Sequence, residues 1–458
     1  MVSQMIRNFI TYCLILFMLA NRCSAEDPES KELPNFIVIV TDDQRHSTVQ
    51  KFMPATWGEI FSKGARFSNA YIPTPICGPS RAAILTGNYA CNNGVRKNNQ
   101  KLNPGQKLIS SSLKKAGYTT GLVGKFLNGY EGRKHKSFDY WVSFEGGNVS
   151  YYNPVLNVQK EVIQKTGYVT NILGGYAEDF VKQNKNNPFF LYLAFNAPHY
   201  PHIPARRTKN KLQGYKFDFP ESFLEADVSD KPAWIQRKAG PDVGYQKIQK
   251  RWNRRIKNQH RTLITLDKSI KRLIRTVRKA GVLDNTVIIF ISDNGILWGE
   301  HRFFSKATAY EEATRVPMAI RYPRLIVPET VSDKFVANVD ISATIAGLAG
   351  VDHKTDGVSL IDVLNNKNTR ESLLLRGYST GGGSSKGSYH PFRALRNANF
   401  VYVETKGDLP ELYDLTADPL QLNNIVTDEG YSDIKTDLKG KMTEQIRQIC
   451  PTEDPLVF

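Results

Sequence analysis

The sequence predicts an α/β fold with a large, mostly parallel β-sheet flanked by helices, because nearly continuous apolar runs alternate with helical patterns. The apolar runs are rich in β-branched and aromatic residues, and four of them stand out: Phe36–Val40, Tyr118–Val123, Phe189–Phe195 and Val287–Ile291. Such continuous runs are typical of strands buried on both faces of a parallel sheet. The helical patterns between them, Met53–Lys63 and Gln246–Lys279, favour right-handed crossover connections.

The character of the chain changes after about residue 365. Ser379–Ser388 is rich in glycine and serine, which is typical of a flexible loop. Phe400–Glu404 predicts a short strand in a tail that is otherwise rich in turns. We therefore expect a main domain over residues 26–369 and a smaller C-terminal α+β subdomain over residues 370–458, packed on the first.

Residues 1–25 have the pattern of a signal peptide. Arg7 gives a positive start, Phe9–Ala20 is an apolar run of twelve residues, and residues 23–25 form a small-residue cleavage site. The apolar run is shorter than the roughly 20 residues that cross a bilayer. We therefore expect a protein of the secretory pathway, either secreted or lysosomal, with no membrane span.

The chain is basic: its formal net charge is +17, and removal of the predicted signal peptide with its two arginines lowers that charge by two. A basic balance favours polyanionic partners such as nucleic acid, anionic lipid or sulfated polysaccharide. The secretory route argues against nucleic acid. A solvated basic surface without a specific partner remains the alternative.

A cluster of polar residues follows each of the four apolar runs. The clusters are Thr41–Gln44, Gly124-Lys125, Asn196–His199 and Ser292–Gly295. Open α/β sheets bind ligands at the carboxyl ends of their strands, so we expect the four clusters to converge on one crevice. Any one of them alone is also compatible with a helix cap or a turn.

Two of these clusters predict a metal site. Asp42, Asp43, Asp293 and Asn294 offer only oxygen ligands, and three of the four are carboxylates. This set suits a hard divalent cation, and calcium is favoured over zinc because no pair of histidines or cysteines adjoins it. Adjacent carboxylates without a cation would repel each other. The alternative is an N-cap at Asp42 and a plain turn at residues 293–295.

The segment Cys77-Gly78-Pro79-Ser80-Arg81, followed by Ala82–Gly87, has the pattern C-x-P-x-R. It resembles the signature of the type I sulfatases, and Gly117–Lys125 resembles the second signature of that family. Further segments match in family order: Ala197–His199, Ser292–Gly295, Gly299–His301 with Lys306, Asp356–Leu360 and Glu411–Leu415. The resemblance covers roughly residues 33–425, and such an ordered series is far more specific than one short pattern.

The resemblance implies an alkaline-phosphatase-like fold, with a large mixed sheet, and the hydrolysis of a sulfuric ester. In this family the formylglycine-generating enzyme of the endoplasmic reticulum oxidises the signature cysteine, here Cys77, to formylglycine. The aldehyde hydrate offers one hydroxyl as the nucleophile. Its second hydroxyl later loses a proton to expel sulfate, which divides one hard displacement into two easier steps.

The resemblance also implies roles for the charged residues. One calcium ion (Ca²⁺) would be held by Asp42, Asp43, Asp293, Asn294 and the modified Cys77. Three cations would neutralise the sulfate: Arg81, Lys125 and Lys306. His199 would orient the ester or protonate the leaving oxygen.

The residues after Lys125 depart from the commonest family pattern. Many sulfatases have a histidine two residues after this lysine, whereas here the chain continues Phe126-Leu127-Asn128. The Lys-aromatic-Leu-Asn pattern resembles the branch of the N-acetylglucosamine-6-sulfatases and heparan 6-O-endosulfatases. It implies a sulfated carbohydrate substrate, with 6-sulfated glucosamine in a glycosaminoglycan-type chain as the leading hypothesis and Asn128 as a binding residue.

A basic stretch runs from Lys247 to Lys279, with thirteen lysines and arginines and one acid, Asp267. On a helix it would form a basic face that holds a sulfated polysaccharide by releasing counterions, and we expect Arg254 and Arg255 to bind substrate there. The alternative is a solvated helix face.

Two covalent modifications besides that of Cys77 are predicted. Asn148-Val149-Ser150 is a sequon for N-glycosylation at Asn148. If Cys77 is consumed as the resemblance implies, the two other cysteines left after signal removal form an even pair in an oxidising compartment. A Cys91–Cys450 disulfide is therefore expected.

Three other functions remain compatible with parts of the sequence. One is a generic arylsulfatase, and a second is a phosphate or phosphonate ester hydrolase of the same superfamily. The third is a catalytically silent protein that binds polyanions. The intact C-x-P-x-R pattern favours sulfate hydrolysis, and the oligomeric state stays open.

Overall fold

The computed structural model of the protein describes residues 32–130, 132–238, 240, 244–378 and 390–453. The predicted signal peptide and the predicted loop Ser379–Ser388 lie outside these residues. Within the described part of the chain, no helix is long and apolar enough to cross a membrane.

A ten-stranded sheet forms the centre of the protein. Its strands are β1 (Asn35–Thr41), β2 (Ala65–Tyr71), β3 (Thr119–Gly124), β4 (Tyr140–Ser143), β5 (Val155–Val158), β6 (Glu161–Gln164), β7 (Phe189–Ala194), β8 (Thr286–Ser292), β9 (Met318–Arg321) and β10 (Thr330–Ala337). Their spatial order is β10-β2-β9-β8-β1-β7-β3-β4-β5-β6. The antiparallel pairs involve β9 and the β4–β5–β6 edge, and the other pairs are parallel.

The four predicted apolar runs are the four central strands β8, β1, β7 and β3, which pair in parallel. Strands β1, β7 and β8 are buried along their whole length, which explains why their apolar residues do not alternate with polar ones. The predicted fold class is confirmed. Because all four strands run the same way, the loops at their carboxyl ends meet at one edge of the sheet.

The sheet lies between two layers of helices. In chain order the helices are α1 (Thr48–Phe52), α2 (Pro54–Thr56), α3 (Cys77–Thr86), α4 (Ala90–Asn93), α5 (Ile109–Lys115), α6 (Val169–Asn184), α7 (Ala233–Gln236), α8 (Tyr245–Lys279), α9 (Glu311–Thr314), α10 (Asp340–Ala349), α11 (Leu360–Leu364) and α12 (Ser432–Ile449). Helices α3, α5 and α10 pack on one face of the sheet, and α6 and α8 pack on the other.

Both helical patterns predicted from the sequence correspond to helices. The pattern Gln246–Lys279 corresponds to α8, which begins one residue earlier. The pattern Met53–Lys63 is split, because α2 leads directly into a turn of π-helix at Trp57–Phe61. Such turns are not visible in hydrophobic periodicity.

The C-terminal part contains more regular structure than the turn-rich tail that was predicted. A four-stranded antiparallel sheet is formed by β11 (Ser372–Gly377), β12 (Phe392–Asn397), β13 (Phe400–Thr405) and β14 (Glu411–Asp414). Helix α12 packs its apolar residues Leu438, Met442 and Ile446 in the same core as this sheet. Only β13 was predicted. The boundary at residue 370 stays a prediction.

Cys91, in α4, and Cys450, which follows α12, are joined as a disulfide with their Cα atoms 5.6 Å apart. The bond links residues that are 359 positions apart in the sequence. Cys77 is the free cysteine among the described residues, and it is buried.

Candidate active site

Cys77 is the first residue of α3, and every residue of that helix is buried. The preceding residue, Ile76, has an extended backbone, so the helix begins at the cysteine itself. Cys77 is only 2% exposed. The partial positive charge at a helix N-terminus favours a negative charge on this side chain or on a group bound to it.

The surroundings of Cys77 combine burial with two lysines. Lys306 Nζ donates to Cys77 Sγ at 2.7 Å, and Sγ lies 3.6 Å from Asp42 Oδ1. Burial raises the pKa of the Cys77 thiol to about 12, and the charges of Lys125 and Lys306 only partly oppose this rise. A cysteine with so high a pKa is a neutral thiol at physiological pH and a poor nucleophile.

Asp42 follows β1 and lies fully buried among cations. Lys125 Nζ, which comes from the end of β3, lies 2.6 Å from Asp42 Oδ2, and Arg81 Nη2 lies 3.6 Å from the same oxygen. Burial alone would raise the pKa of Asp42, but the charges of Lys125, His199 and Arg81 outweigh burial and lower it. Asp42 is therefore an anion. Burial lowers the pKa of Lys125, but the negative charge of Asp42 outweighs this effect and raises that pKa, so Lys125 stays a cation.

Asp43 has a positive φ of 62°, a left-handed conformation that is uncommon for a residue other than glycine. Its Oδ1 accepts hydrogen bonds from Lys306 Nζ and, at 2.7 Å, from Asn294 Nδ2. Its backbone N–H donates to Asp293 Oδ1 at 3.2 Å. Strained residues of this kind cluster at functional sites, where the surrounding structure holds them.

Arg81 holds the carboxylate of Asp293 in place. Its Nε and Nη2 lie 2.9 and 2.8 Å from Asp293 Oδ2, and its Nη1 donates to the carbonyl oxygen of Lys125 at 3.1 Å. Arg81 is fully buried, and the charges of Asp293 and Asp42 outweigh the effect of burial and raise its pKa. One side chain of α3 therefore joins the ends of β3 and β8.

These residues fit a metal ion. Asp42, Asp43, Cys77 and His199 each offer a donor atom, and these atoms lie within 4.8 Å of one another. Asn294 adds an oxygen, Oδ1, that is buried without a hydrogen-bond partner. Carboxylate and amide oxygens suit a hard cation, whereas a thiol does not. The set therefore favours a hard ion only if Cys77 presents oxygen instead of sulfur.

His199 lies beside this cluster and is partly exposed, with 22% of its side chain accessible. Its Nδ1 lies 2.8 Å from the carbonyl oxygen of Tyr200, so Nδ1 carries a hydrogen and donates it to that oxygen. Its Nε2 lies 3.7 Å from Asp43 Oδ2. Tyr151 holds the loop, since its hydroxyl donates to the carbonyl oxygen of His199 at 2.7 Å. The Nε2 side of the ring is thus presented to the cleft.

A cleft of about 470 Å³ opens beside this cluster. Its lining includes Asp43, His199 and Lys306 together with residues that sequence reasoning did not assign, namely Tyr200, His202, Arg251, Trp252, Ile296, Phe304 and Ser305. Arg255 also lines the cleft, and its guanidinium packs 5.0 Å from the ring centre of Trp252. Arg254 is exposed on α8 and is not among the lining residues.

Residues 251, 252 and 255 share one face of α8 at its N-terminal end. The spacing of this face was visible in the sequence, but its direction depends on how α8 packs on the sheet. The apolar residues of the helix that lie in the core, such as Leu263 and Ile270, fix that direction.

Asn128 lies against the segment that carries Cys77. A Cβ atom on Gly78 would be 3.5 Å from Asn128 Cβ, and one on Gly147 would be 2.1 Å from Asn128 Nδ2. The side chain is therefore wedged between the two glycines, and its Oδ1 is buried without a hydrogen-bond partner. Asn148, which carries the predicted glycan, is exposed.

Comparisons with known proteins identify the family of the chain. Residues 34–351 match the family described as Sulfatase, and residues 299–448 match the one described as N-sulphoglucosamine sulphohydrolase, C-terminal. The chain therefore belongs to the sulfatase family, and it is a hydrolase.

Two relatives and one solved structure illustrate the similarity. The N-acetylglucosamine-6-O-sulfatase of Bacteroides thetaiotaomicron is 27% identical, covering 93% of this chain and 88% of the relative. The human N-acetylglucosamine-6-sulfatase is 28% identical, covering 92% and 85%. A protein solved in complex with its substrate D-glucosamine-2-N,6-O-disulfate superposes with a TM-score of 0.83 at 26% identity, over 93% of this chain and 99% of that one.

Proposed function

We propose that this sulfatase removes the 6-O-sulfate from glucosamine residues of a glycosaminoglycan-type chain, with a formylglycine made from Cys77 as its nucleophile. The observation that carries the substrate assignment is the similarity to a protein that binds D-glucosamine-2-N,6-O-disulfate. Two relatives that match this chain over most of their own length are named for removal of sulfate from the 6-position of N-acetylglucosamine.

The state of Cys77 supports the modified nucleophile. As a thiol it is buried and has a raised pKa, so it would react slowly. The formylglycine-generating enzyme would supply a two-electron oxidant that converts the Cβ to an aldehyde, and the sulfur would leave as sulfide. Hydration of the aldehyde would then complete the exchange of the sulfur for two hydroxyl groups. Calcium, bound by Asp42, Asp43, Asp293, Asn294 and a hydroxyl of that hydrate, would supply Lewis-acid polarisation of a sulfate oxygen.

In the first step a hydroxyl oxygen of the hydrate attacks sulfur, and the bond from sulfur to the sugar oxygen breaks. The hydroxyl proton passes to the carboxylate of Asp42, whose Oδ1 lies 3.6 Å from Cys77 Sγ. His199 acts as an imidazolium, whose Nε2 side faces the cleft, and gives the Nε2 proton to the sugar oxygen as it leaves. Lys125 and Lys306 are both cationic and are suited to neutralise the sulfate oxygens.

In the second step the remaining hydroxyl of the hydrate gives its proton to His199, which restores the imidazolium. Its oxygen forms the aldehyde C=O bond, the bond from carbon to the sulfate oxygen breaks, and sulfate leaves. Water then hydrates the aldehyde and restores the starting state. Asp42 releases to water the proton that it accepted, so the net reaction consumes one water and yields the free sugar hydroxyl, sulfate and one proton. Two steps with a covalent intermediate replace one hard displacement.

The formylglycine proposal also requires a route through the secretory pathway, where the formylglycine-generating enzyme would meet the chain. The signal-peptide pattern of residues 1–25 supports this route, and it leads to a secreted or lysosomal protein. The exposed Asn148 would then be accessible for glycosylation.

The substrate assignment is tested with a panel of small esters. We expect sulfate release from 6-sulfated N-acetylglucosamine at a kcat/KM at least about tenfold above that for 3-sulfated glucosamine or an aryl sulfate. Cleavage of aryl sulfates alone would identify a generic arylsulfatase, and faster cleavage of a phosphonate monoester would identify the related hydrolase class. No turnover of any ester by formylglycine-containing protein would leave only polyanion binding.

A further inference from the structure

A second cavity lies on the other side of the nucleophile from the catalytic cleft. It has a volume of about 430 Å³ and is bordered by the loop that follows β3 and by the segment around residues 100–106. Its volume falls in the range of small-molecule sites, roughly 300–1,000 Å³. None of the lining residues of the two cavities is shared.

The order of the strands places the two cavities on opposite sides of Cys77. The catalytic cleft is lined by residues that follow β8, such as Phe304, whereas the second cavity is lined by residues that follow β3. In the sheet, β8 and β3 lie on opposite sides of the β1–β7 pair. Cys77 lies between the cavities, because Lys306 contacts its Sγ from the cleft side and Asn128 packs beside Gly78 from the other.

The lining of the second cavity has the chemistry of an acidic-sugar site. Tyr130, Phe126 and His135 form an aromatic cluster, with the Phe126 and Tyr130 rings 4.8 Å apart. Aromatic faces favour the apolar faces of sugar rings. Lys101 and Arg133, both exposed, are the charged members among the described lining residues. The amide of Asn128, with its unpartnered Oδ1, lies at the boundary toward Cys77.

From this arrangement we infer that the second cavity is a subsite for the neighbouring residue of the substrate chain, and that it takes an acidic sugar whose anionic group lies between Lys101 and Arg133. The inference rests on the proposed function, since it assumes a sugar sulfate at Cys77. An enzyme with subsites on both sides of its nucleophile acts on residues that have a neighbour, in preference to isolated monosaccharides.

The test compares the KM of two substrates in each protein: 6-sulfated N-acetylglucosamine and the same residue linked to a uronic acid. We expect the ratio of the monosaccharide KM to the disaccharide KM to fall about tenfold in Arg133→Ala and in Lys101→Ala, the loss typical of one charge-assisted contact. Lys107→Ala is the matched control, because this exposed lysine belongs to the same segment but not to the cavity. Its ratio should equal that of the wild type.

Two further substrates identify the anionic group, one with a neutral neighbour and one with a neutral neighbour that carries its own sulfate. A preference for the uronate or for the second sulfate, lost in Arg133→Ala, supports the subsite and names its ligand. An unchanged KM ratio in both variants, or equal KM values for acidic and neutral neighbours, overturns it. Failure of the wild type to release 6-sulfate from any substrate would instead contradict the proposed function.

An inhibition experiment further distinguishes failure of the subsite proposal from failure of the proposed function. An unsulfated disaccharide that contains a uronic acid should inhibit turnover of whichever sulfate ester the enzyme cleaves, and Arg133→Ala should raise its inhibition constant about tenfold. Inhibition that is the same in wild type and Arg133→Ala excludes the subsite whatever the sulfate position.

Discussion

Cys77 illustrates how a residue and its surroundings can be mismatched until the residue is modified. Its thiol is buried beside Asp42, and burial raises its pKa to about 12. The contact with Lys306 nevertheless suits an anionic oxygen group, as does the position of Cys77 at the start of α3. An oxygen-bearing side chain at this position would satisfy Lys306 and complete a hard ligand set.

The modification of Cys77 is the first prediction. Peptide mass spectrometry of active protein should find the peptide around residue 77 lighter by the difference between SH plus H and O, and a hydrazide reagent should label it. Cys77→Ala should lose nearly all turnover while it still folds, because alanine removes the nucleophile without adding volume. An unmodified thiol in fully active protein would contradict this.

Calcium dependence is the second prediction. It follows from the clustering of Asp42, Asp43 and Asp293 with Asn294, whose amide oxygen is buried without a hydrogen-bond partner. A calcium chelator should abolish activity and lower the Tm, since a ligand at 100 times its Kd stabilises by about 2.7 kcal/mol. Asp43→Ala and Asp293→Ala should abolish both the activity and the calcium-dependent part of the Tm.

The control for the calcium prediction is Asp179→Ala, which removes an exposed carboxylate that pairs with the surface residue Lys182 at 3.0 Å. It should respond to the chelator as the wild type does. Full activity after exhaustive chelation, or zinc as the ion found by metal analysis, would count against a calcium site.

At the scale of elements, α8 has two functions that its sequence combines in one basic helix. Its apolar residues pack under the sheet, while its N-terminal turns present Trp252 and Arg255 to the cleft. Arg254 is the neighbour of Arg255 in sequence but lies on the exposed face. The two arginines should therefore affect catalysis differently.

The third prediction separates these two arginines. Arg255→Glu should impair turnover of small and polymeric esters alike, because it puts an anion into the cleft that receives sulfate. Arg254→Glu should raise only the KM for a long sulfated polysaccharide, and the polymer KM of the wild type should rise steeply with salt. If the KM values for the polymer and for an aryl sulfate rise equally with salt, the exposed face of α8 is a solvated surface that does not bind substrate.

The elements also show what the sequence could and could not predict. The four central strands were predictable because burial on both faces leaves one uninterrupted apolar signal. In the C-terminal sheet, β12 carries Arg393 and Arg396, which are buried by pairing with Glu404 and Glu311. Charges that are neutralised by distant partners look like exposed residues in a sequence, so this strand was missed.

At the scale of the whole molecule, the candidate site was predictable as a set of residues but not as a geometry. The motifs located Asp42, Cys77, Lys125, His199 and Lys306, which the fold brings to one edge of the sheet. The cavities were not predictable, because they depend on loops such as that around Gly129, whose added Cβ would lie 2.4 Å from Asn99 Cα. Contacts this close are set by the packing of distant segments.

The last prediction concerns the Cys91–Cys450 disulfide. The Cys91–Cys450 disulfide joins α4, in the helical layer beside the nucleophile, to the end of α12, which packs with the C-terminal sheet. Because it closes a loop of 359 residues, its removal should relieve the unfolded chain of a large constraint and lower the free energy of unfolding by about 2–4 kcal/mol. The double variant Cys91→Ala, Cys450→Ala should show this loss in urea denaturation and a lower Tm, with kcat near that of the wild type. The disulfide itself should remain intact in Cys77→Ala, since Cys77 takes no part in it. Alkylation of both thiols in native protein without a reductant would contradict the bond itself.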